Sequence, residues 1–271
     1  MPSENTGKKY VIKKINAHKD HVTLSFDKKR EKLKISKEAY LSLYLYENKS
    51  LSPKDIKKLK EISANSALYS YAVSLLSKRQ YSEFKLREKL KAKEGTRDAI
   101  NQTIKTLKTK GFLDDEAYMK ELIEYDNNRG FGKNRIIKHL REQRIPDNLI
   151  EKASFSPYNE LKKAKGLIPK LDAKYARYAY ESKKQHIHQA LLVQGYDHGI
   201  IKEALSLVKP DKPKVEKQKL INDFKKIKKR YENKYEGYEL KQKIYAALFN
   251  KGYRSSEIKI VLEEYSNEND F

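Results

Sequence analysis

The stretch LKAKEGTRDAI, from Leu90 to Ile100, decides the fold because its pattern occurs four times along the chain. Each copy opens with Leu and closes with Ile ten positions later. The other copies run from Leu140 to Ile150, from Leu191 to Ile201 and from Leu248 to Ile258. A further aliphatic residue precedes each opening Leu by four positions. Because this spacing is helical, each copy predicts the end of one helix, a tight turn and the start of the next.

The turns carry residues that end or begin helices. The first, third and fourth copies have Gly95, Gly195 and Gly252 in the turn, and the second copy has Ile145-Pro146. Gly accepts the left-handed conformation that ends many helices, and Pro has a helical φ already. The openings at 90, 140, 191 and 248 are 50, 51 and 57 residues apart, which leaves room for one more helix in each unit. The sequence therefore predicts four units of three helices.

The N-terminal region has a different pattern. Apolar residues alternate in three short runs, around Tyr10 to Ile15, Val22 to Phe26, and Leu33 to Ile35, which predicts a three-stranded antiparallel meander. Ser36 is predicted to cap a helix that extends to about Tyr46, and Ser52 with Pro53 to start a second. A separate helix, capped by Asn65 or Ser66, is predicted to open the first three-helix unit.

The predicted fold is mainly α: an elongated array of tandem three-helix, helix-turn-helix-like repeats behind a small N-terminal antiparallel β meander. The N-terminal region, residues 1–63, contains the meander and two helices. The predicted repeats are 64–111, 112–155, 156–209 and 210–271, and the last ends in a disordered acidic tail from Ser266 onward.

Composition indicates the class of partner. Hydrophobic residues are 38% and charged residues 36% of the 271, which suits small stacked units better than one large core. Lys and Arg number 60 against 37 Asp and Glu, a net charge of +23, which favours a polyanion or an acidic protein surface as partner. The chain has no Cys and shows no signal-like or membrane-length apolar run. We expect a cytoplasmic monomer that does not bind membranes.

Two motifs resemble catalytic sites only superficially. Gly130-Phe131-Gly132-Lys133 is similar to part of a phosphate-binding loop, but Asn127 and Asn134 occupy positions where that loop needs Gly and Ser or Thr. Asp114, Asp115 and Glu116 are adjacent on a predicted helix, where they point in different directions and favour capping over metal binding.

The histidines give no clearer indication of a site. His186 and His188 are two positions apart, so that they do not face each other on a helix, and His198 adds nothing definite. We therefore predict no catalytic residues, no metal site and no cofactor.

The candidate binding residues form a predicted basic face, defined by side chains that recur on equivalent helices. The first two repeats contribute Lys85, Arg87, Lys89, Lys91, Lys133, Arg135, Lys138, Arg141 and Arg144. The last two contribute Lys183, Lys184, Lys225, Lys226, Lys228, Lys229 and Arg230. In a stacked array, such charges predict a continuous basic stripe. For any single residue, a solvated helix surface remains the alternative interpretation.

The order of the motifs resembles that of the RecX regulatory proteins of bacteria. The matching pieces are Ala67-Leu68-x-x-Tyr71-Ala72, Lys78-Arg79-x-x-Ser82-Glu83-x-x-Leu86-x-x-x-Leu90 and Leu107-x-x-x-Gly111-Phe112-Leu113-Asp114-Asp115-x-x-Tyr118. The resemblance covers roughly residues 65 to 265. One departure is Arg144, where the family usually has Gly before the Ile, and it concerns the geometry of the second turn.

The resemblance implies a specific function. RecX proteins consist of tandem three-helix units, lie along the groove of RecA filaments on single-stranded DNA, and restrain ATPase, strand-exchange and coprotease activities. It thus implies the RecA filament and single-stranded DNA as partners and leaves duplex DNA open. A helix-turn-helix DNA-binding protein that acts without RecA is the alternative, and a nuclease is the third class.

Overall fold

The computed structural model describes residues 9–27 and 32–266. Within these ranges the protein is mainly helical, with one small N-terminal sheet, as the sequence predicts. The chain divides into two compact units, residues 1–119 with 142–147 and residues 120–141 with 148–271. The predicted acidic tail lies outside the described residues, except for Ser266, which ends the last helix.

The sheet has four antiparallel strands in the order β3-β2-β1-β4. They are β1 Tyr10–Ala17, β2 Val22–Phe26, β3 Lys32–Ile35 and β4 Ser50–Leu51. The predicted three-stranded meander is confirmed. The sequence does not predict the fourth strand, because its two residues are too few to show an alternating pattern. Ile12 and Leu24, which are buried, anchor the core beneath the sheet.

Two helices follow the strands, α1 Lys37–Ser42 and α2 Pro53–Leu76. The predicted caps are confirmed: the Ser36 hydroxyl accepts a hydrogen bond from the Ala39 amide, and Ser52 and Asp55 form a reciprocal capping box. Helix α1 ends at Ser42, earlier than predicted.

The separate helix predicted to start at Asn65 or Ser66 is wrong, because α2 runs without a break through both residues. No Gly or Pro interrupts this stretch, and Ser63 is accommodated inside the helix, since its hydroxyl donates to the Leu59 carbonyl at 2.7 Å. The predicted boundary after residue 63 therefore falls inside a continuous helix.

The remaining helices follow the predicted order of the repeats. The first repeat adds α3 Glu83–Lys91 and α4 Arg97–Thr109. The second has α5 Asp115–Asn128, α6 Lys133–Glu142 and the short α7 Asp147–Ile150. The third has α8 Pro157–Lys174, α9 Tyr180–Val193 and α10 His198–Leu205. The fourth has α11 Pro213–Tyr231, α12 Gly237–Asn250 and α13 Ser255–Ser266.

The opening Leu and the closing Ile of every copy are buried, as the repeat predicts. Leu90 and Ile100 lie in the core of the first repeat, which also receives Leu68 and Ala72 from α2. The third and fourth repeats each enclose a core of their own. Among the described helices, none combines the length and the apolar character that crossing a bilayer requires.

The turn inside each copy has the left-handed residue at the fifth position. Glu94 has φ 58°, Arg144 59°, Gly195 92° and Gly252 87°. The predicted role of Gly95 is therefore wrong, since Gly95 stands at the sixth position and Glu94 takes the left-handed conformation. A Cβ on Gly95 would lie 2.9 Å from Leu68 Cδ2, so close packing is what excludes a side chain there.

The turns are closed by the hydrogen bonds of a Schellman motif. In the third copy, the Tyr196 amide donates to the Leu191 carbonyl at 3.2 Å and the Gly195 amide to the Leu192 carbonyl at 2.9 Å. The same pair of bonds recurs at the first and fourth copies. Arg144 also has a positive φ, 59°, so the departure from Gly at this position leaves the left-handed conformation in place.

Candidate functional site

The predicted basic face of the first repeat lies on α3. Lys89 and Lys91 are exposed, and Lys85 and Arg87 are half-buried. The Lys85 ammonium donates to the side-chain oxygen of Gln143 at 2.9 Å. Arg87 is held by Glu83, at 2.7 Å. Two of these four cations are thus engaged within the protein, and Lys89 and Lys91 project into solvent.

Glu83 forms ion pairs with Arg87 of α3 and with Lys108 of α4. Burial raises the pKa of its carboxyl, but the hydrogen bonds and positive charges of Lys108 and Arg87 outweigh burial and hold the pKa below its usual value. The ionised carboxylate fixes the guanidinium of Arg87, which also donates to the Asn101 side chain at 2.8 Å. This arrangement orients Arg87 along the surface of α3.

The second repeat contributes α6 and the turn after it. Lys133, Lys138 and Arg141 are exposed. Arg135 is half-buried, and its guanidinium carbon lies 3.7 Å from the centroid of the Phe131 ring, a cation–π contact that fixes the side chain. Arg144 is exposed in the turn.

Lys183 does not belong to an exposed basic face, and its place in the prediction is wrong. Its side chain is fully buried, four residues before Ile187 on the stripe of α9 that faces the core. Its ammonium lies 3.0 Å from Asp172 and 3.4 Å from Asp211. These carboxylates balance a charge that burial would otherwise make costly. The neighbouring Lys184 is half-buried, with Glu181 3.4 Å away.

In the fourth repeat the predicted cations lie on α11. Leu220, Phe224 and Ile227 turn one face of this helix into the core. The opposite face carries four exposed cations and the half-buried Lys228. The exposed members are Lys225, Lys226, Lys229 and Arg230. Fifteen of the sixteen predicted residues therefore reach the surface at least in part; whether they form one stripe remains a prediction.

Successive repeats are joined at the start of the second helix. In the first joint, the Ser82 hydroxyl donates to the Gln143 carbonyl at 2.6 Å. The Glu83 amide donates to the carboxylate of Asp115 at 2.8 Å. Asp115 thus supplies an acceptor to the N-terminus of a helix in the preceding repeat, a role that the sequence did not suggest.

Asp114 and Asp115 act on different helices. Asp114 accepts from the amides of Glu116 and Ala117, at 2.9 and 3.0 Å, and is the cap predicted for α5. Asp115 is half-buried against Glu83, and burial raises the pKa of its carboxyl above the usual value. The signal for this second role is the acidic residue in the first turn of α5, which also fits an ordinary dipole interaction.

The second joint repeats the first and is more closely packed. The Lys133 amide donates to the carboxylate of Glu160 at 2.8 Å. The amides on either side, of Gly132 and Asn134, donate to the carbonyls of Gln194 and Gly195 at 2.8 and 3.0 Å. Three consecutive amides of the supposed phosphate-binding loop are therefore occupied by acceptors from the third repeat.

Tyr196 completes this joint. Its hydroxyl donates to the Gly130 carbonyl at 2.8 Å. Burial, and then the negative charge of Glu160, raise the pKa of the phenol above its usual value. The tyrosine follows directly after Gly195 in the turn, so one turn contributes two carbonyls and a phenol to the preceding repeat.

The third joint combines close packing with an ion network. A Cβ on Gly252 would lie 2.8 Å from the Ser182 amide nitrogen at the start of α9. Asp211, in the linker before α11, contacts Lys183 and Lys219. Burial opposes ionisation of Asp211, yet the bond from Lys219 and the two positive charges lower its pKa. The joint therefore relies on ionised Asp211.

The described residues carry exposed cations on several helices. They contain no group of three or more His, Asp or Glu side chains placed to hold a metal ion. His186 lies against the rings of Tyr175 and Tyr178, whereas His188 turns toward His198, with ring centroids 5.5 Å apart. Exposed cations on helices suit recognition of an acidic surface or a polyanion.

Comparisons with known proteins agree with the fold. Residues 69–107 match the family model for the first three-helix domain of RecX. The chain is similar to Regulatory protein RecX of Streptococcus agalactiae serotype Ia, 27% identical over 259 residues, which are 94% of this chain and 99% of the relative. It is also similar to Regulatory protein RecX of Lactococcus lactis subsp. lactis, 28% identical over 267 residues, or 96% and 98% of the two chains.

Two solved structures have the same fold. A crystal structure of regulatory protein RecX covers 73% of this chain and 99% of its own, with a TM-score of 0.61 and 23% identity. The crystal structure of RecX from Lactobacillus salivarius covers 54% of this chain and 96% of its own, with a TM-score of 0.51 and 24% identity.

Proposed function

Since the chain is a member of the RecX family, we propose that it binds RecA and RecA–single-stranded-DNA filaments and inhibits their recombinase, ATPase and coprotease activities. Through these it regulates DNA repair and the SOS response in the cytoplasm. The observation that carries the proposal is similarity to regulatory RecX proteins over nearly the whole chain. The protein acts by binding and not by catalysis.

The surface charges support this proposal. Lys89, Lys91, Lys133 and Lys138 are exposed on the second helices of the first two repeats. A filament groove that exposes carboxylates or phosphates attracts such cations, and the attraction weakens as salt is added. The joints between repeats attach the starts of these helices to the following repeat by hydrogen bonds from main-chain amides.

The test adds the protein to preformed filaments of RecA on single-stranded DNA. ATP hydrolysis and filament length, measured by electron microscopy, should both fall at less than one copy per RecA. Unchanged hydrolysis and length at every ratio would remove the proposal. Sequence-selective binding to duplex DNA without RecA would support the helix-turn-helix alternative, and metal-dependent cleavage that disappears in Asp115→Ala would support a nuclease.

A matched pair of variants tests the surface. Replacing Lys89, Lys91, Lys133 and Lys138 together with Gln should weaken inhibition at least tenfold. The control replaces four exposed lysines of α2 with Gln and changes net charge equally. The control residues are Lys54, Lys57, Lys58 and Lys60. Equal losses in both variants would show that total charge, and not the predicted basic face, drives binding.

A further inference from the structure

A cavity of ≈ 550 Å³ lies between α9 and α10 in the third repeat. Helix α9 lines it with Tyr180, Lys184 and His188, which are four residues apart and therefore share one face. Helix α10 lines it with His198 and Lys202, spaced in the same way. This volume falls within the range of small-molecule sites, about 300–1,000 Å³.

The charged side chains of the cavity are all basic or potentially basic. Lys184, Lys202, His188 and His198 line it, and no carboxylate does. The two His rings lie against each other, with centroids 5.5 Å apart. Like charges that line the same space repel one another, and an anion placed among them relieves that repulsion.

Two carboxylates near the cavity are directed to partners outside it. Glu203 forms an ion pair with Lys165 at 3.1 Å. Asp197, at the start of α10, accepts a hydrogen bond from the Asn134 side chain at 2.5 Å and makes no side-chain cap to its own helix. A third, Glu181, forms a hydrogen bond and an ion pair with Lys184 at 3.4 Å, from an exposed position, and partly neutralises that lysine. Lys202 therefore supplies most of the positive charge of the cavity.

The remaining lining supplies surfaces for the rest of a ligand. The Tyr180 hydroxyl donates to the Val208 carbonyl at 3.2 Å, which fixes the ring across one end. Leu205 and Val208 add apolar area, and Ser206 adds a hydroxyl. An aromatic ring beside apolar side chains accepts a base or a sugar, while ammonium and imidazole groups bind phosphate oxygens.

We propose that this cavity binds the phosphate of a nucleotide, with Lys184 and Lys202 as the principal ligands and the two histidines as further donors. The phosphate comes either from a free nucleotide or from one residue of a single strand. This inference does not rest on the proposed action on RecA, because the site lies within one repeat.

The experiment measures binding to the full chain without RecA, at low salt. The probes are 5′-dTMP by calorimetry and a labelled oligothymidylate by fluorescence anisotropy. Lys184→Gln with Lys202→Gln should weaken binding at least tenfold. The control, Lys162→Gln with Lys170→Gln on exposed positions of α8, should change it less than twofold. If the cavity variant loses affinity for 5′-dTMP, a free nucleotide is a ligand of the site. If it loses affinity for the oligonucleotide alone, the ligand is a phosphate within a strand.

A steric variant separates the cavity from general charge. Ser206→Trp fills one side of the cavity and leaves the net charge unchanged, and it should also weaken binding at least tenfold. Circular dichroism and the melting temperature verify that each variant is folded. The proposal would be overturned if the cavity double variant and the control double variant lost affinity equally. It would also be overturned if Ser206→Trp left the affinity unchanged, or if neither probe bound the unaltered protein.

Discussion

The turns at Glu94 and Gly195 have the same backbone conformation and opposite tolerance for a side chain. Both residues are left-handed, and both turns have the hydrogen bonds of a Schellman motif. Glu94 is exposed. Gly195 contacts the start of α6, where a Cβ would overlap the backbone nitrogen of Arg135. Glycine is thus required at position 195, where the turn packs directly against the backbone of the preceding repeat. The second turn also contacts the repeat before it, through the Gln143 carbonyl, and there Arg144 takes the left-handed conformation with its side chain exposed.

Gly195→Ala should produce the largest change. Alanine in the left-handed conformation costs about 1–2 kcal/mol, and displacing the backbone of α6 costs about 1–3 more. We expect the free energy of unfolding to fall by about 3 kcal/mol, measured by urea denaturation. Gly199→Ala is the control, because nothing lies within 4 Å of its Cβ, and it should be neutral or slightly stabilising. Equal effects would show that docking does not restrict Gly195.

Glu160→Ala should have the next largest effect. It removes the acceptor of the Lys133 amide and the ion pair with Lys163, at 2.6 Å, from a buried position. Losing a hydrogen bond to a charged group costs about 1.5–3 kcal/mol. Urea denaturation should show this loss, and Glu160→Gln should restore part of it, because its carbonyl still accepts. Exposed Glu124→Ala is the control and should change stability by less than about 0.5 kcal/mol.

Tyr196→Phe should destabilise by about 1 kcal/mol at neutral pH, because the Gly130 carbonyl loses its donor. The raised pKa in the folded state means that the phenol favours folding while protonated. This contribution is complete below about pH 10 and declines as the pH rises above it. Denaturation between pH 7 and 11 should therefore show the difference between the two proteins shrinking. A difference that grows with pH would contradict this assignment.

Glu94→Gly should have the smallest effect and the opposite sign. Glycine has no steric penalty in the left-handed conformation, although it adds freedom to the unfolded chain. We expect the free energy of unfolding to rise by about 0.5–1 kcal/mol, measured in urea as for the other variants. A loss of stability would mean that the Glu94 side chain contributes contacts that outweigh its backbone strain.

The sequence predicts most of the helices because the spacing of their apolar residues is local. The position of Leu90 and Ile100, and their equivalents, was enough to place each pair of helices. Properties that depend on partners distant in the chain were missed. Lys183 looks like a surface cation until Asp172 and Asp211 are brought beside it. Likewise, nothing near Glu160 in the sequence indicates the amide of Lys133.

The candidate surface was predicted in part for the same reason. Exposed Lys89 and Lys138 follow from the polar faces of amphipathic helices. The grouping of His188 with His198 depends on the angle between α9 and α10, which spacing along one helix cannot supply.

Helix α2 has a consequence for any attempt to dissect the protein. Its 24 residues span about 36 Å at 1.5 Å each and serve two cores, with Leu59 beneath the sheet and Leu68 in the first repeat. A fragment starting at residue 64 would begin in mid-helix and lack the Ser52 cap. Trimming to residue 64 therefore also frays the repeat that remains. A truncation that keeps the cap must begin at or before Ser52, and it still exposes Leu59, whose core partners include residues of the sheet.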